Sequence, residues 1–188
     1  MFFTVPGLRN SDETHWQSQW EKRSPNQFQR IQQEDWAHPD SETWVNQIEK
    51  TLDPYASEEI VPIGHSVGCA AIVHWWNTFQ KPVRAAMLVA PSDVERDDYP
   101  AYITGFSPMP LVKLPFPTLV VASTDDHVVS LSRASYFAQC WGAEWHVVEN
   151  GGHLESKSGF GSWPEGWELL HHLVSLTESI NYGNWRTI

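Results

Sequence analysis

Ile60-Val61-Pro62-Ile63-Gly64-His65-Ser66-Val67-Gly68-Cys69-Ala70-Ala71-Ile72-Val73 is the stretch on which the fold of this chain turns. Its centre, Gly64-His65-Ser66-Val67-Gly68, fits the G-x-S-x-G pattern, in which a serine occupies a strained turn between a strand and a helix. The spacing has a steric reason. Serine at the tip of so sharp a turn takes unfavourable backbone angles, and the residues two positions either side must lack a Cβ so that strand end and helix start can pack closely. The hydroxyl is then held out into a cleft, and the Val67 backbone N–H, at a helix N-terminus, is placed to bind a developing oxyanion.

The bare pattern is a weak signal in a chain with many serines and glycines, and Ser66 as a simple helix cap is the competing reading. Context strengthens it. Ile60-Val61-Pro62-Ile63 is a short apolar run suited to a buried parallel strand, with Pro62 the one discordant residue because proline lacks a ladder donor. After the turn, Cys69, Ala70, Ile72, Val73, Trp76 and Phe79 recur with helical spacing, so strand, turn and helix follow in the required order.

Working outward, 188 residues make one domain spanning 1–188, long enough for a real core. Hydrophobic residues at 41% and charged ones at 19% describe a soluble globular protein, and most of the 11 Trp should be core or cleft wall. A net charge of −11 without clustered Lys or Arg argues against nucleic acid and disfavours highly anionic substrates. Cys69 and Cys140 form no metal or disulfide framework, and Cys69 reads as a small buried residue. Met1-Phe2-Phe3-Thr4-Val5-Pro6 has no basic region and too short an apolar run for a signal peptide, and no long apolar stretch follows; a cytoplasmic protein with no membrane association is the expectation.

Strands are expected at Phe2 to Val5, Phe28 to Gln32, the run before Ser66, Ala85 to Ala90, Phe116 to Ala122 and Glu144 to Val148. Helices are expected around Glu13 to Arg23, Ser41 to Leu52, after Ser66, Ser130 to Trp141 and Pro164 to Leu176. This alternation implies a doubly wound, six-stranded parallel sheet covered on both faces, with ligand groups at the strands' carboxyl ends.

That placement rule selects the chemistry. A serine hydroxyl is a weak nucleophile and needs a general base, which itself needs an orienting partner. Past the fifth strand lie Asp125-Asp126-His127, and past the sixth Gly151-Gly152-His153. The order Ser, Asp, His is that of α/β-hydrolases. Of the adjacent aspartates, Asp126 is chosen to face the cleft and Asp125 to serve a turn. His153 is chosen over His65, His127, His146, His171 and His172 because its strand-end position and chain order agree. No metal-binding spacing such as H-E-x-x-H is present, so no metal or organic cofactor is expected. Pro6-Gly7-Leu8 follows the first strand, where the Leu8 N–H would be the second oxyanion donor, or where Pro6-Gly7 is only a turn.

With these residues in place, the chain resembles small serine hydrolases of the α/β-hydrolase superfamily, of the YdeN and retinoblastoma-binding protein 9 type. The resemblance covers almost the whole chain. It rests on Val5-Pro6-Gly7 with His15-Trp16-Gln17-Ser18-Gln19-Trp20-Glu21, on Gly64 to Gly68, on Leu114 to Ser123 with Thr124-Asp125-Asp126, and on Gly152-His153 with Gly161-Ser162-Trp163-Pro164-Glu165-Gly166. It implies a compact α/β-hydrolase sheet without the two leading strands of larger relatives, and a triad of Ser66, Asp126 and His153. One departure stands out: the family usually has proline after its aspartate, and here His127 stands there.

A small-molecule acyl substrate is therefore expected, with a short-chain carboxylic ester as the default and thioester or amide as alternatives. Only about 25 residues, Pro91 to Pro115, separate the fourth and fifth strands, so no large lid and an open cleft are expected, with Trp75, Phe106, Met109 and Trp163 as candidate walls. The rival from another class is a partner-binding module that keeps the fold without catalysis; a protein partner or a homodimer is open on sequence grounds.

Overall fold

The computed structural model of the chain describes the backbone of residues 1–183 and the side chains of residues 1–177. Strands β1 (Phe2–Val5), β2 (Phe28–Arg30), β3 (Val61–His65), β4 (Ala86–Val89), β5 (Thr118–Ser123) and β6 (Glu144–Val148) accompany helices α1 (Trp16–Arg23), α2 (Ser41–Leu52), α3 (Val67–Phe79), α4 (Leu131–Trp141) and α5 (Pro164–Gly183). The strands form one parallel sheet in the order β2-β1-β3-β4-β5-β6. A parallel neighbour can be reached only by crossing a face of the sheet, and every strand connection except β4 to β5 carries a helix on the way. The strand order reverses between β1 and β3, so their carboxyl ends flank the crevice where doubly wound sheets bind ligands.

Alternation along each strand divides the core into two layers. Met87 and Val89 of β4, with Leu119 and Val121 of β5, pack against Trp16 and Trp20 of α1 and Leu170 and Leu173 of α5. Ala86 and Leu88, with Val120 and Ala122, face the other way against α2, α3 and α4, where Trp44, Ile48, Ile72, Phe137 and Trp141 fill the space. Both faces are therefore apolar, as a parallel sheet between helices requires.

Pro62 is accommodated by register. The Val61 N–H donates toward β1, to the Met1 carbonyl at 3.0 Å, so the next nitrogen along faces the β4 side. There the ladder begins only at Ile63 opposite Met87, and no donor is missed.

Two helix limits differ from the sequence expectation. Helix α1 starts at Trp16 rather than near Glu13, because the Asp12 carboxylate accepts the Thr14 and His15 N–H groups in a turn and the His15 ring then caps the helix by accepting from Gln17 N–H. Helix α5 continues past Leu176 to Gly183. Among the described residues no helix is long and apolar enough to cross a membrane.

Candidate active site

Ser66 stands between β3 and α3 with φ of 56° and ψ of −127°, a left-handed conformation that a non-glycine residue holds only where its surroundings enforce it. Three backbone hydrogen bonds do so. Its N–H donates to the Val89 carbonyl at 3.0 Å, and its carbonyl accepts from Cys69 at 3.0 Å and from Ser92 at 3.3 Å. The flanking glycines meet the steric demand of the motif. A Cβ on Gly64 would lie 2.9 Å from the Cys69 Cα, and one on Gly68 would run into the Val5 and Pro6 carbonyl oxygens at the end of β1.

The Ser66 hydroxyl lies 2.9 Å from His153 Nε2, and His153 Nδ1 lies 2.8 and 3.0 Å from the two carboxylate oxygens of Asp126. The Asp126 side chain is fully buried and that of His153 nearly so. Asp126 Oδ1 also accepts the N–H groups of Val128 and Val129, at 2.7 and 3.4 Å, which fixes the carboxylate plane. The sequence expectation of Ser66, Asp126 and His153 thus names three side chains that share one continuous hydrogen-bonded line. His127, in the position where proline was expected, leaves this arrangement intact; its ring packs edge-on against that of His153, and its carbonyl accepts from Arg96.

The loop that carries His153 is fastened to the end of β5 by three consecutive side chains. Ser123 Oγ accepts the Gly151 N–H at 2.8 Å, Thr124 Oγ1 the Asn150 N–H at 2.9 Å, and Asp125 Oδ1 the Gly152 N–H at 2.7 Å. Asp125 also accepts from the Ser123 hydroxyl, and these bonds lower its pKa. So Asp125, expected as a turn residue, clamps the histidine loop. From the other side, Trp16 Nε1 donates to the Leu154 carbonyl and Trp20 Nε1 to that of Ser162.

Behind the triad lie further imidazoles. His65 Nε2 donates to the His153 carbonyl at 2.9 Å, so this residue next to Ser66 orients the histidine's backbone and points away from the hydroxyl. Burial holds the His65 pKa well below the ordinary value and pushes that of His15 down to about 4, so both are neutral at pH 7. Burial also pushes the Cys69 thiol up, and its S–H donates to the Val89 carbonyl, which removes it as a nucleophile.

The family model described as serine hydrolase matches residues 2–172. The chain belongs to the serine hydrolase family. Among solved structures, the hydrolase is similar to a YdeN-like hydrolase from Pectobacterium atrosepticum at 36% identity and a TM-score of 0.82, covering 94% of this chain and 91% of that one. It is also similar to the ydeN gene product of B. subtilis, at 22% identity and a TM-score of 0.73 over 93% of this chain and 98% of the other. A thermophilic esterase from Thermogutta terrifontis shares the fold at 13% identity, with a TM-score of 0.69 over 94% and 89%. A comparison with curated protein sequences gives no match. The chain is thus an α/β serine hydrolase of the YdeN type.

Beside Ser66 the hydrolase has a mostly apolar cavity of about 160 Å3, lined by Leu8, Val67, Tyr99, Pro100, Ile103 and Val128 together with Ser66, Ser92, Arg96 and His153. The expected oxyanion donors Val67 and Leu8 both border it, and among the described residues neither N–H donates to another protein group. The expected walls are elsewhere. Trp75, Phe106 and Met109 are buried in the layer beneath α2 and α3, with Trp75 Nε1 on Glu49, and Trp163 is buried in the opposite layer against Trp16 and Trp20. Large apolar side chains near a cleft gain more by burial in the core, and hydrophobicity alone does not say which side of a layer they fill. One wall comes instead from the first half of the β4 to β5 connection, through Arg96, Tyr99, Pro100 and Ile103, and Leu8, Val67 and Val128 complete the lining. The signal for Ser92 was available: it is a polar residue just past the carboxyl end of β4, the same placement that selected Asp126 and His153.

Proposed function

We propose that this serine hydrolase cleaves short-chain carboxylic esters through an acyl-enzyme on Ser66, with His153 as general base and acid, Asp126 as its orienting carboxylate, and the N–H groups of Val67 and Leu8 as the oxyanion site. The observation that carries this reading is the line from Asp126 through His153 to Ser66, closed at 2.8 and 2.9 Å across the carboxyl ends of β5, β6 and β3. In the attack, the Ser66 proton moves to His153 Nε2 while the oxygen bonds to the acyl carbon, and the carbonyl electron pair moves onto the oxyanion. The leaving alcohol departs with the proton from His153. Water then repeats the sequence and releases the acid.

The acyl class is argued from the cavity. A space of about 160 Å3 with leucine, valine, isoleucine and proline walls suits a short acyl chain. Thioesters and amides share this mechanism and are the alternatives within the same acyl class.

The test is labelling by a fluorophosphonate probe, comparing the native chain with Ser66→Ala and His153→Ala, followed by turnover of p-nitrophenyl esters of two to twelve carbons. Labelling that disappears in both variants, with turnover falling beyond about six carbons, is expected. A folded native chain that does not label would remove the catalytic reading and leave a partner-binding module on a hydrolase fold.

A further inference from the structure

The Ser66 hydroxyl has a second side-chain partner that the triad does not use: Ser92 Oγ, at 3.0 Å. The direction of this hydrogen bond follows from the others. His153 Nδ1 faces both oxygens of the Asp126 carboxylate, an acceptor only, so Nδ1 carries the ring proton and Nε2 presents a lone pair. Ser66 has one hydroxyl proton, and it is committed to that lone pair at 2.9 Å. The contact with Ser92 must then run from the Ser92 O–H to Ser66 Oγ. Tyr99 Oη, buried at the same cavity and close enough to the Ser92 hydroxyl to feel it, has no hydrogen bond of normal geometry, so the Ser66 oxygen at 3.0 Å is the well-placed acceptor for the Ser92 proton.

We propose that Ser92 is a further catalytic residue, whose hydroxyl donates to the Ser66 oxygen and stabilises the negative charge that gathers there during attack and again during expulsion. This rests on Ser66 being the nucleophile. As the Ser66 proton passes to His153 Nε2, the oxygen gains charge before its new bond to the acyl carbon is complete. A donor already in place at that moment strengthens as the charge grows. In deacylation the bond from the acyl carbon to Ser66 Oγ breaks, the electron pair returns to the oxygen, and His153 supplies its proton. Ser92 keeps its own proton throughout, so both half-reactions balance as in the triad mechanism.

The placement favours a built position over a chance approach. Ser92 is 2% exposed, and its backbone N–H is itself hydrogen-bonded to the Ser66 carbonyl at 3.3 Å. The residue is therefore moored to the serine turn independently of its hydroxyl, and removing the oxygen leaves that mooring in place.

The experiment uses the full chain with Ser92→Ala, Ser92→Cys and Ser92→Thr. It measures the second-order rate of fluorophosphonate labelling and the acylation and deacylation rates with p-nitrophenyl acetate in stopped flow. The alanine variant should lose about tenfold in labelling and in both half-reactions, the difference between a hydrogen bond to a neutral oxygen and one to an oxygen taking on charge. Threonine, which keeps the hydroxyl, should recover most of the rate, and cysteine, a weak donor of similar size, should resemble alanine and serves if alanine does not fold. A merely structural serine would not give this ordering by donor strength. Native rates in the alanine variant, or in the cysteine variant where alanine does not fold, overturn the role of Ser92 alone, as does a folded threonine variant no faster than alanine or cysteine. A native chain that does not label overturns the hydrolase reading and Ser92 with it.

Discussion

A histidine held between a carboxylate and a hydroxyl has one useful tautomer, and Asp126 is placed to enforce it. Asp126 Oδ1 is taken by the Val128 N–H, and Oδ2 is the oxygen nearest His153 Nδ1. In Asp126→Asn the amide oxygen stays on Val128, which turns the NH2 toward Nδ1. The ring must then accept there and carry its proton on Nε2, facing Ser66 with nothing to receive the serine proton. Under the proposed mechanism kcat should fall by about 10³ to 10⁴ with little change in fold, the scale set by tautomer reversal in serine hydrolases generally. Loss of less than about tenfold in kcat for a folded Asp126→Asn would sink the assignment. The three residues of this hydrogen-bonded line were legible because each follows a strand and the chain order is constrained. Ser92 shares that strand-end placement but was not singled out, because it fits no motif of the triad and its partner is 26 residues away.

Among the elements, the fold was read more easily than the loops. Strands β1 and β6 begin and end where the sequence predicts, and Ser130, expected at a helix start, caps α4 by accepting the Arg133 N–H, while the cap of α2 proves to be Asp40, one residue before the expected start. What escaped is long-range: that Ser123, Thr124 and Asp125 would grip residues 150–152 depends on β5 and β6 lying side by side in register. This clamp has a consequence for activity. In Asp125→Ala the Gly152 N–H loses its acceptor one residue before His153, while the buried side chains of the triad keep their neighbours. We expect fluorophosphonate labelling to slow by about tenfold from misplacement of the imidazole. Thermal unfolding should move little, because the lost bonds are at the surface. Labelling at the native rate would show that the other two side chains and the tryptophan contacts hold the loop without Asp125.

For the molecule as a whole, the buried histidines govern stability on the acid side of neutrality. His15 and His65 are folded in as neutral rings, His15 with its pKa pushed down to about 4 by burial and His65 well below the ordinary value for the same reason; His74 and His171 are lowered as well. An unfolded histidine takes up its proton near 6.5, so between about 4 and 6.5 the unfolded chain binds more protons than the folded one and stability rises with pH. The contribution of His15 is complete above 6.5 and is lost as the pH falls toward 4, at up to about 1.4 kcal/mol per pH unit; the other lowered rings act in the same direction. Two other effects act differently. Asp12, lowered to about 2 by its bonds from Thr14 and Ser156, and Asp40 and Asp125, also lowered, give up their stabilisation only below the ordinary carboxylate range. The net charge of −11 shrinks on approach to a pI of about 5.1, which relieves self-repulsion, but at 0.15 M salt exposed charges are screened over about 8 Å. The histidines should therefore win, and urea midpoints at constant ionic strength should fall from pH 7 to 6 to 5. His15→Asn, which can still cap α1 but cannot titrate, should flatten the slope by up to one ring's share. Midpoints that hold steady or rise on acidification would mean that the relief of repulsion outweighs the cost of charging these rings.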